Sequence, residues 1–432
     1  MFPLCRFGTN QERSRQMRNL RIVGWVLCGV MAVCPAFAGD WPQMGGPDRN
    51  NISPETGLAR EWPSAGPKVL WTVPLGRGYG SPSVRDGEVY VLDREGEAKD
   101  VLRCFALDSG KELWNYAYDA PGNVSHGGSR TAPTVTETHV YTVGLFGDFL
   151  CVDRKTHAPV WQRNILKENG MEVPGWGVSQ APLLYGDLVI VAPQAPEAYV
   201  AAYNKATGEP VWKTSSLGAV GYSTPVLAKI CGVDQILQVG ASTKDGKTKG
   251  LTAGISPVDG KILWTYDGWQ CWIPIPFPTA LPGDRVFITG GYKAGSAMLQ
   301  IAQADGAWTA TELWKSADIG SQIQQPVFFG DHLYLNSNSN EREDGMMCVA
   351  LDGAIKWKTK DSWFTNTFER GPLLLADGLI LNLDGKKGTL HLVAPSPEAF
   401  KELGSVEILD GKEIWAPMAL SNGKLLVRSQ SE

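Results

Sequence analysis

Ten side chains of this 432-residue chain carry groups suited to holding a polar or anionic organic ligand. They are Tyr79, Arg130, Trp176, Gln180, Tyr222, Trp272, Gln324, Glu369, Arg370 and Trp415. Each stands two to six residues before a recurring proline. Aromatic rings offer faces for stacking, and a guanidinium grips a carboxylate through two parallel hydrogen bonds. Arg130 and Arg370 sit at neighbouring offsets before their prolines, so they are expected to face one opening. Two guanidiniums in one funnel repel unless an anion, a carboxylate such as Glu369, or water intervenes. The set therefore predicts a concave mouth for an anionic or sugar-like ligand. The competing reading is that these residues fill the taper of a channel and meet only water.

Other chemistry is poorly represented. The histidines, His126, His139, His157, His332 and His391, show no H-x-H or H-E-x-x-H spacing, so no metal site is expected. The run from Asn336 to Asp344 is oxygen-rich but lacks the spacing of a calcium loop, and reads as a polar connection. No residue is assigned a catalytic role. Trp269, Trp272, Pro274, Pro276 and Pro278 make a stiff aromatic loop, either an exposed contact patch or packing folded into the channel.

The elements that position the ten residues are repeats. Pro82-Ser-Val-Arg-Asp-Gly-Glu-Val-Tyr-Val aligns without gaps to the segments starting at Pro133, Pro182, Pro326 and Pro372, and more loosely to those at Pro225, Pro278 and Pro417. Each reads as a short strand, a tight turn and an apolar strand. Proline opens the strand, where no ladder bond is lost. A second unit pairs a strand and an Asp/Asn–Gly turn with a tryptophan, as in Ala106-Leu-Asp108-Ser-Gly110-Lys-Glu-Leu-Trp114. Trp161, Trp212, Trp264, Trp314 and Trp357 end further copies. Two hairpins per unit, with prolines spaced 43 to 53 residues apart, predict an all-β, eight-bladed β-propeller of four-stranded antiparallel blades over 67–432. Helix should be scarce. The strand around Trp71 is expected to supply the outer strand of the last blade, against the 416–429 hairpin, with that blade's third strand unaccounted for. Trp71 and the six other turn tryptophans are expected to be buried docking residues between blades.

The first 38 residues read as a cleaved signal peptide. Arg13, Arg15, Arg18 and Arg21 precede an apolar run from Ile22 to Val33, and Ala36-Phe37-Ala38 gives the small-residue cleavage site. Residues 39–66 form a leader before the repeats. The 1–38 segment holds five Arg and one Glu, so the mature chain keeps 35 basic and 44 acidic residues, a net charge of −9. With no basic stripe, nucleic acid is not an expected partner, and no apolar run has transmembrane length. A monomeric periplasmic or extracellular protein is expected. Export permits disulfides, yet Cys104, Cys151, Cys231, Cys271 and Cys348 are odd in number and widely spaced, which reads as buried free thiols.

The Ala106–Trp114 pattern resembles the tryptophan-docking repeat of propellers of the pyrroloquinoline-quinone (PQQ) type, over nearly all of 67–432. That group includes quinoprotein alcohol dehydrogenases and the propeller lipoprotein of the outer-membrane barrel-assembly machinery. The opening Asp40–Asn50 segment resembles the leader of exported polyvinyl-alcohol-dehydrogenase-like members. The enzymes' features would imply PQQ with calcium, an adjacent cysteine pair and an Asp base. No Cys-Cys pair and no C-x-x-C-H haem motif occurs here. The expectation is therefore an exported, non-catalytic binding or scaffold propeller without cofactor, holding an envelope protein or a small polar or anionic ligand. The alternative is a PQQ-dependent dehydrogenase acting on an alcohol or sugar.

Overall fold

The structure, a computed structural model, describes residues 39–63, 65–337, 345–361 and 368–432. The expected signal peptide, and all but the first two residues of the Asn336–Asp344 run, lie outside the described residues. The described chain is all-β, with 3-10 turns at Lys167–Asn169 and Thr359–Asp361 as its helical elements. No helix among the described residues is long and apolar enough to cross a membrane.

The strands group into eight sheets in chain order, over 83–119, 134–164, 183–213, 226–266, 279–316, 327–358, 373–407 and 419–426. The first seven hold four antiparallel strands each, and the seventh gains a short parallel strand, Ile52–Ser53, from the leader. Tight turns explain the first hairpins. In Asp86-Gly87, Asp377-Gly378 and Asn422-Gly423 both central residues have positive φ, the two-residue geometry that matches strand twist.

Apolar clusters lie between consecutive sheets. Tyr90 and Leu92 of the first sheet pack with Val140 and Leu150 of the second, and the pattern continues along the chain. One cluster joins the seventh sheet (Leu381, Leu392), the eighth (Leu420, Leu426) and the first (Val89, Phe105). Sheets packed face to face in this way bury both of their sides.

The tryptophans occupy one recurring site. Trp114, Trp161 and Trp357 pair across strands with Cys104, Cys151 and Cys348, and Trp212, Trp264 and Trp314 with Ala202, Gly254 and Met298, each at a bulge. Small or sulfur-bearing partners leave room for the ring, which accounts for three of the five thiols among the described residues; all five of these are free. Trp71, Trp161, Trp212, Trp314 and Trp357 then donate their indole N–H to backbone carbonyls in the next sheet's turn, at 2.8–3.2 Å. Gly208 must be glycine there, because a β-carbon would come within 2.7 Å of Trp161. His157 takes the equivalent left-handed position in the second sheet and stacks on Trp114, centroids 4.6 Å apart. Trp264 differs, donating to buried Gln235 within its own sheet. Trp114 and Trp264 are buried, whereas the other five are half-buried at the outer rim.

One expectation needs correction. The Trp71 segment is no strand: its indole reaches Leu107, but 67–73 makes no backbone pair with Lys424–Leu426. Among the described residues the eighth sheet is a two-stranded hairpin, Ala419–Ser421 with Lys424–Leu426. The leader packs against the sheets. Trp41, fully buried, bridges Val84, while Val135 N–H donates to Pro42, Arg49 reaches the carbonyls of Pro182 and Pro225, and Leu375 N–H donates to Asn51. The leader thus crosses between sheets distant in sequence.

Trp114→Ala should lower the unfolding free energy by about 3–5 kcal/mol. A reduced urea midpoint checks this; an unchanged midpoint would show that the ring carries no inter-sheet packing.

Candidate functional site

The segments leading into the first strands converge on a cavity of about 460 Å³. Of the ten expected residues, Tyr79, Arg130, Trp176, Tyr222, Gln324, Glu369, Arg370 and Trp415 line it. Gln180 and Trp272 do not. Gln180 is buried and donates to Gly221 O at 3.1 Å, so its amide is spent on backbone. Trp272 lies one layer out, against Tyr292, with the Lys244 ammonium 3.7 Å from its ring centroid. The proline-rich loop resolves as packing: Trp269 is buried, Ile275 faces the cavity, and Pro274 O accepts from Tyr222 N–H.

One side of the mouth is a layered stack. Arg130 covers the Tyr79 ring at 4.7 Å, Tyr79 stacks on Trp415 at 5.7 Å with 24° between planes, and Arg370 covers Trp415 at 4.6 Å. Arg130 is held by the carbonyls of Ser125 and His126, and its Nε is buried without a partner. Burial lowers the Arg130 guanidinium to about 10, which leaves it charged at neutral pH. Arg370 bonds Glu369 and Gln322. The second Glu369 oxygen accepts from the Trp415 indole at 3.1 Å, and Gln324 donates to Trp415 O at 2.7 Å.

The second carboxylate, Glu413, receives Tyr79 O–H at 2.6 Å and Arg77 at 3.0 Å, and His126 Nδ1 lies 3.2 Å away. Burial alone would raise the Glu413 carboxyl, but these donors and the His126 charge outweigh it and hold it below the ordinary range. Burial first, then the bond to Glu413, pushes the Tyr79 phenol up to about 12, so it remains a donor. Across the cavity Trp176 and Tyr222 pack at 5.1 Å, and Met44 of the leader lines the wall.

Sequence reasoning missed Met44, His126, Tyr292, Lys386, Lys412 and Glu413. Glu413 stands four residues before Pro417 and Lys412 five, within the offsets already in use, so reading the last repeat more widely finds both. Met44 and His126 have no repeat signal, since they arrive on a leader and on a glycine-rich loop.

PQQ with calcium can be tested against these residues. Rings and guanidiniums suit a planar polycarboxylate. The metal half does not fit: among the described residues no group of three or more His, Cys, Asp or Glu side chains is placed to hold an ion, and both mouth carboxylates are taken by donors. No step is derived through that pair.

Sheets packed in sequence around a polar mouth define the class as a propeller-like all-β domain. The chain belongs to the family described as "Outer membrane protein assembly factor BamB", whose profile matches residues 98–359. It is also similar to the quinoprotein alcohol dehydrogenase PedH of Pseudomonas putida, 24% identical over 177 residues, which are 40% of this chain and 29% of that enzyme's length. Among solved structures, a europium-containing methanol dehydrogenase superposes with a TM-score of 0.59 at 14% identity, over 90% of this chain and 88% of that one. The quinohemoprotein alcohol dehydrogenase ADHIIG of Pseudomonas putida HK5 gives 0.55 at 13%, over 90% and 75%. At these identities the structural likeness is one of fold.

A carboxyl with a lowered folded pKa stabilises the fold above its unfolded value, and that contribution is lost as pH falls through the folded value. Glu413→Gln should therefore flatten the acid limb of the stability curve below about pH 4.5. Urea midpoints across pH 2–6 check this; an unaltered acid limb would mean that the Glu413 cluster is not formed in solution.

Proposed function

We propose that this chain is an exported, non-catalytic binding propeller, in which the eight sheets act as eight blades docked by the turn tryptophans. Its mouth holds a small anionic ligand or an acidic group of an envelope protein. The observation that carries this reading is the charge arrangement at the cavity. Arg130, Arg370 and Lys412 line it against two carboxylates, Glu369 and Glu413, and both carboxylates already accept from neighbours. The surplus is cationic, aromatic faces flank it, and neither carboxylate stands free as a general base. Export rests on the residue order of 1–38, and a protein partner on the family description.

The alternative is a quinone-dependent dehydrogenase, favoured by the likeness to PedH, whose name records an alcohol dehydrogenase activity. Incubating the purified protein with PQQ, with and without calcium, an alcohol panel and a dye acceptor separates the two. Binding seen as quenched tryptophan fluorescence without dye reduction supports the first reading; calcium- and PQQ-dependent dye reduction overturns it. Arg370→Ala should weaken binding of an anionic probe such as galacturonate or PQQ by about tenfold, the loss of one charge-assisted contact. Stability should also fall, because Arg370 pairs with the mostly buried Glu369 and covers Trp415, but by less than binding does. Equal loss of binding and of stability would make Arg370 a structural residue.

A further inference from the structure

The leader segment from Trp41 to Ser53 threads between the sheets. It pairs with Val84 of the first, gives Pro42 O to Val135 of the second and meets Leu375 of the seventh. Between those contacts it reaches the polar mouth. Met44 lines the cavity, with its sulfur 3.6 Å from Thr224 Oγ1. Arg49 then bonds the carbonyls of Pro182 and Pro225, which immediately precede the first strands of the third and fourth sheets. Pro225 follows the mouth residue Tyr222 by three positions, so the Arg49 guanidinium is anchored beside the segment that lines the cavity.

Arg49 is costly to keep there. It is 3% exposed. Its acceptors are all neutral: Gln43 Oε1 at 2.9 Å from Nε, Pro225 O at 3.4 Å, and Pro182 O. Among the described residues no carboxylate pairs with it, and burial lowers the guanidinium to about 9, which leaves it charged at neutral pH. Its backbone is left-handed, with φ 53°, a region that strains a residue bearing a β-carbon. A buried charge is ordinarily paired, because desolvation without a counter-charge is expensive. The other buried arginines described here obey that rule: Arg94 pairs with Asp100 at 2.7 Å, and Arg428 lies 3.6 Å from Asp93. Three departures at one residue beside a binding cavity point to a role beyond stability.

We propose that Arg49 is a specificity-determining residue of the polar mouth, a buried cation that acts through the cavity wall and selects carboxylate-bearing ligands over their neutral counterparts. The bound anion supplies the counter-charge that the fold withholds. This inference rests on the reading of the mouth as an anion site. Arg130 and Arg370 face the cavity and can touch a ligand. Arg49 does not; its field crosses a medium of low dielectric, where one charge acts beyond hydrogen-bonding reach and salt screens it little. The competing role is a structural tie between the third and fourth sheets, which needs the hydrogen bonds of Arg49 but not an uncompensated charge.

Two variants separate charge from packing. In Gln43→Glu a carboxylate oxygen replaces the Oε1 that accepts from Arg49, so the cation gains a counter-charge; the one bond lost is that from Nε2 to Pro47 O. In Arg49→Met the cation is removed. Wild type and both variants are titrated with galacturonate and with galactose, which differ by a carboxylate against a hydroxymethyl group, and tryptophan fluorescence and melting temperature are recorded. The wild type should prefer galacturonate, and both variants should reduce that preference by about tenfold, the effect of one charge at low dielectric. The melting temperature of Gln43→Glu should not fall. Equal weakening for both sugars, or a preference kept in Gln43→Glu, overturns the proposal and assigns Arg49 to packing. If Arg49→Met does not fold, Gln43→Glu decides alone. A wild type without preference for galacturonate overturns the anion reading of the mouth and this proposal with it, whereas a preference that survives Gln43→Glu leaves the mouth reading standing and removes only Arg49.

Discussion

Everything in this structure depends on how the first and last sheets meet. Consecutive sheets can each bury one face against a neighbour without difficulty; the terminal two would each leave a face in water. The cluster joining Leu381, Leu420, Leu426 and Phe105 covers both faces, but with only two strands as filler. A two-stranded hairpin is marginal alone, so polar clasps reinforce the junction. Arg428, fully buried, donates to Gly76 O and Gly80 O and lies 3.6 Å from Asp93, which also binds Arg103. Burial lowers this guanidinium to about 10, which still leaves it charged at neutral pH. On the opposite flank, buried Glu55 accepts from the Asn422 and Gly423 N–H groups, pinning the hairpin turn to the leader.

The polar mouth is built across the same junction. Arg370 enters from the seventh sheet, Trp415 from the approach to the eighth, Tyr79 from the approach to the first and Arg130 from that to the second. The cation–π contacts that shape the site therefore also tie neighbouring segments together. Each such contact is worth roughly 0.5–1 kcal/mol when exposed and more when dry. Part of the aromatic surface is used internally: the rings of Tyr79 and Trp415 stack on each other, and each is also covered by a guanidinium. The surfaces left for a ligand are guanidinium edges and the Trp176–Tyr222 side.

Local signals were legible in the sequence and long-range ones were not. The proline hairpins and the Asp–Gly–Trp turns are visible because their geometry is set within ten residues by φ preferences and side-chain size. Eight of the ten mouth residues were placed because repeats put equivalent positions at equivalent radii. Gln180 failed because a neighbouring loop carbonyl claimed its amide, and Trp272 because Tyr292 came between. Arg49 gave no sign: besides Gln43 six residues before it, its partners are the carbonyls of Pro182 and Pro225, 133 and 176 residues away. Burial without a carboxylate lowers that guanidinium to about 9. The Trp71 segment read as a strand because its composition is that of a strand, yet pairing needs a neighbour.

That last mismatch has a physical consequence. In Pro67–Leu75 sequence preference and tertiary context disagree, leaving apolar Val69 and Leu70 in water above an apolar gap, a local conflict that folded chains generally avoid. Conflicts of this kind concentrate where a structure serves something other than its own stability. The gap and the polar mouth also share one short stretch of chain: Glu413 and Trp415 belong to the mouth, and Leu420–Leu426 border the gap. The hairpin that joins them is held by Glu55 at its turn and by Arg428 just beyond it, so the mouth residues on this stretch are positioned by the same clasps that close the junction.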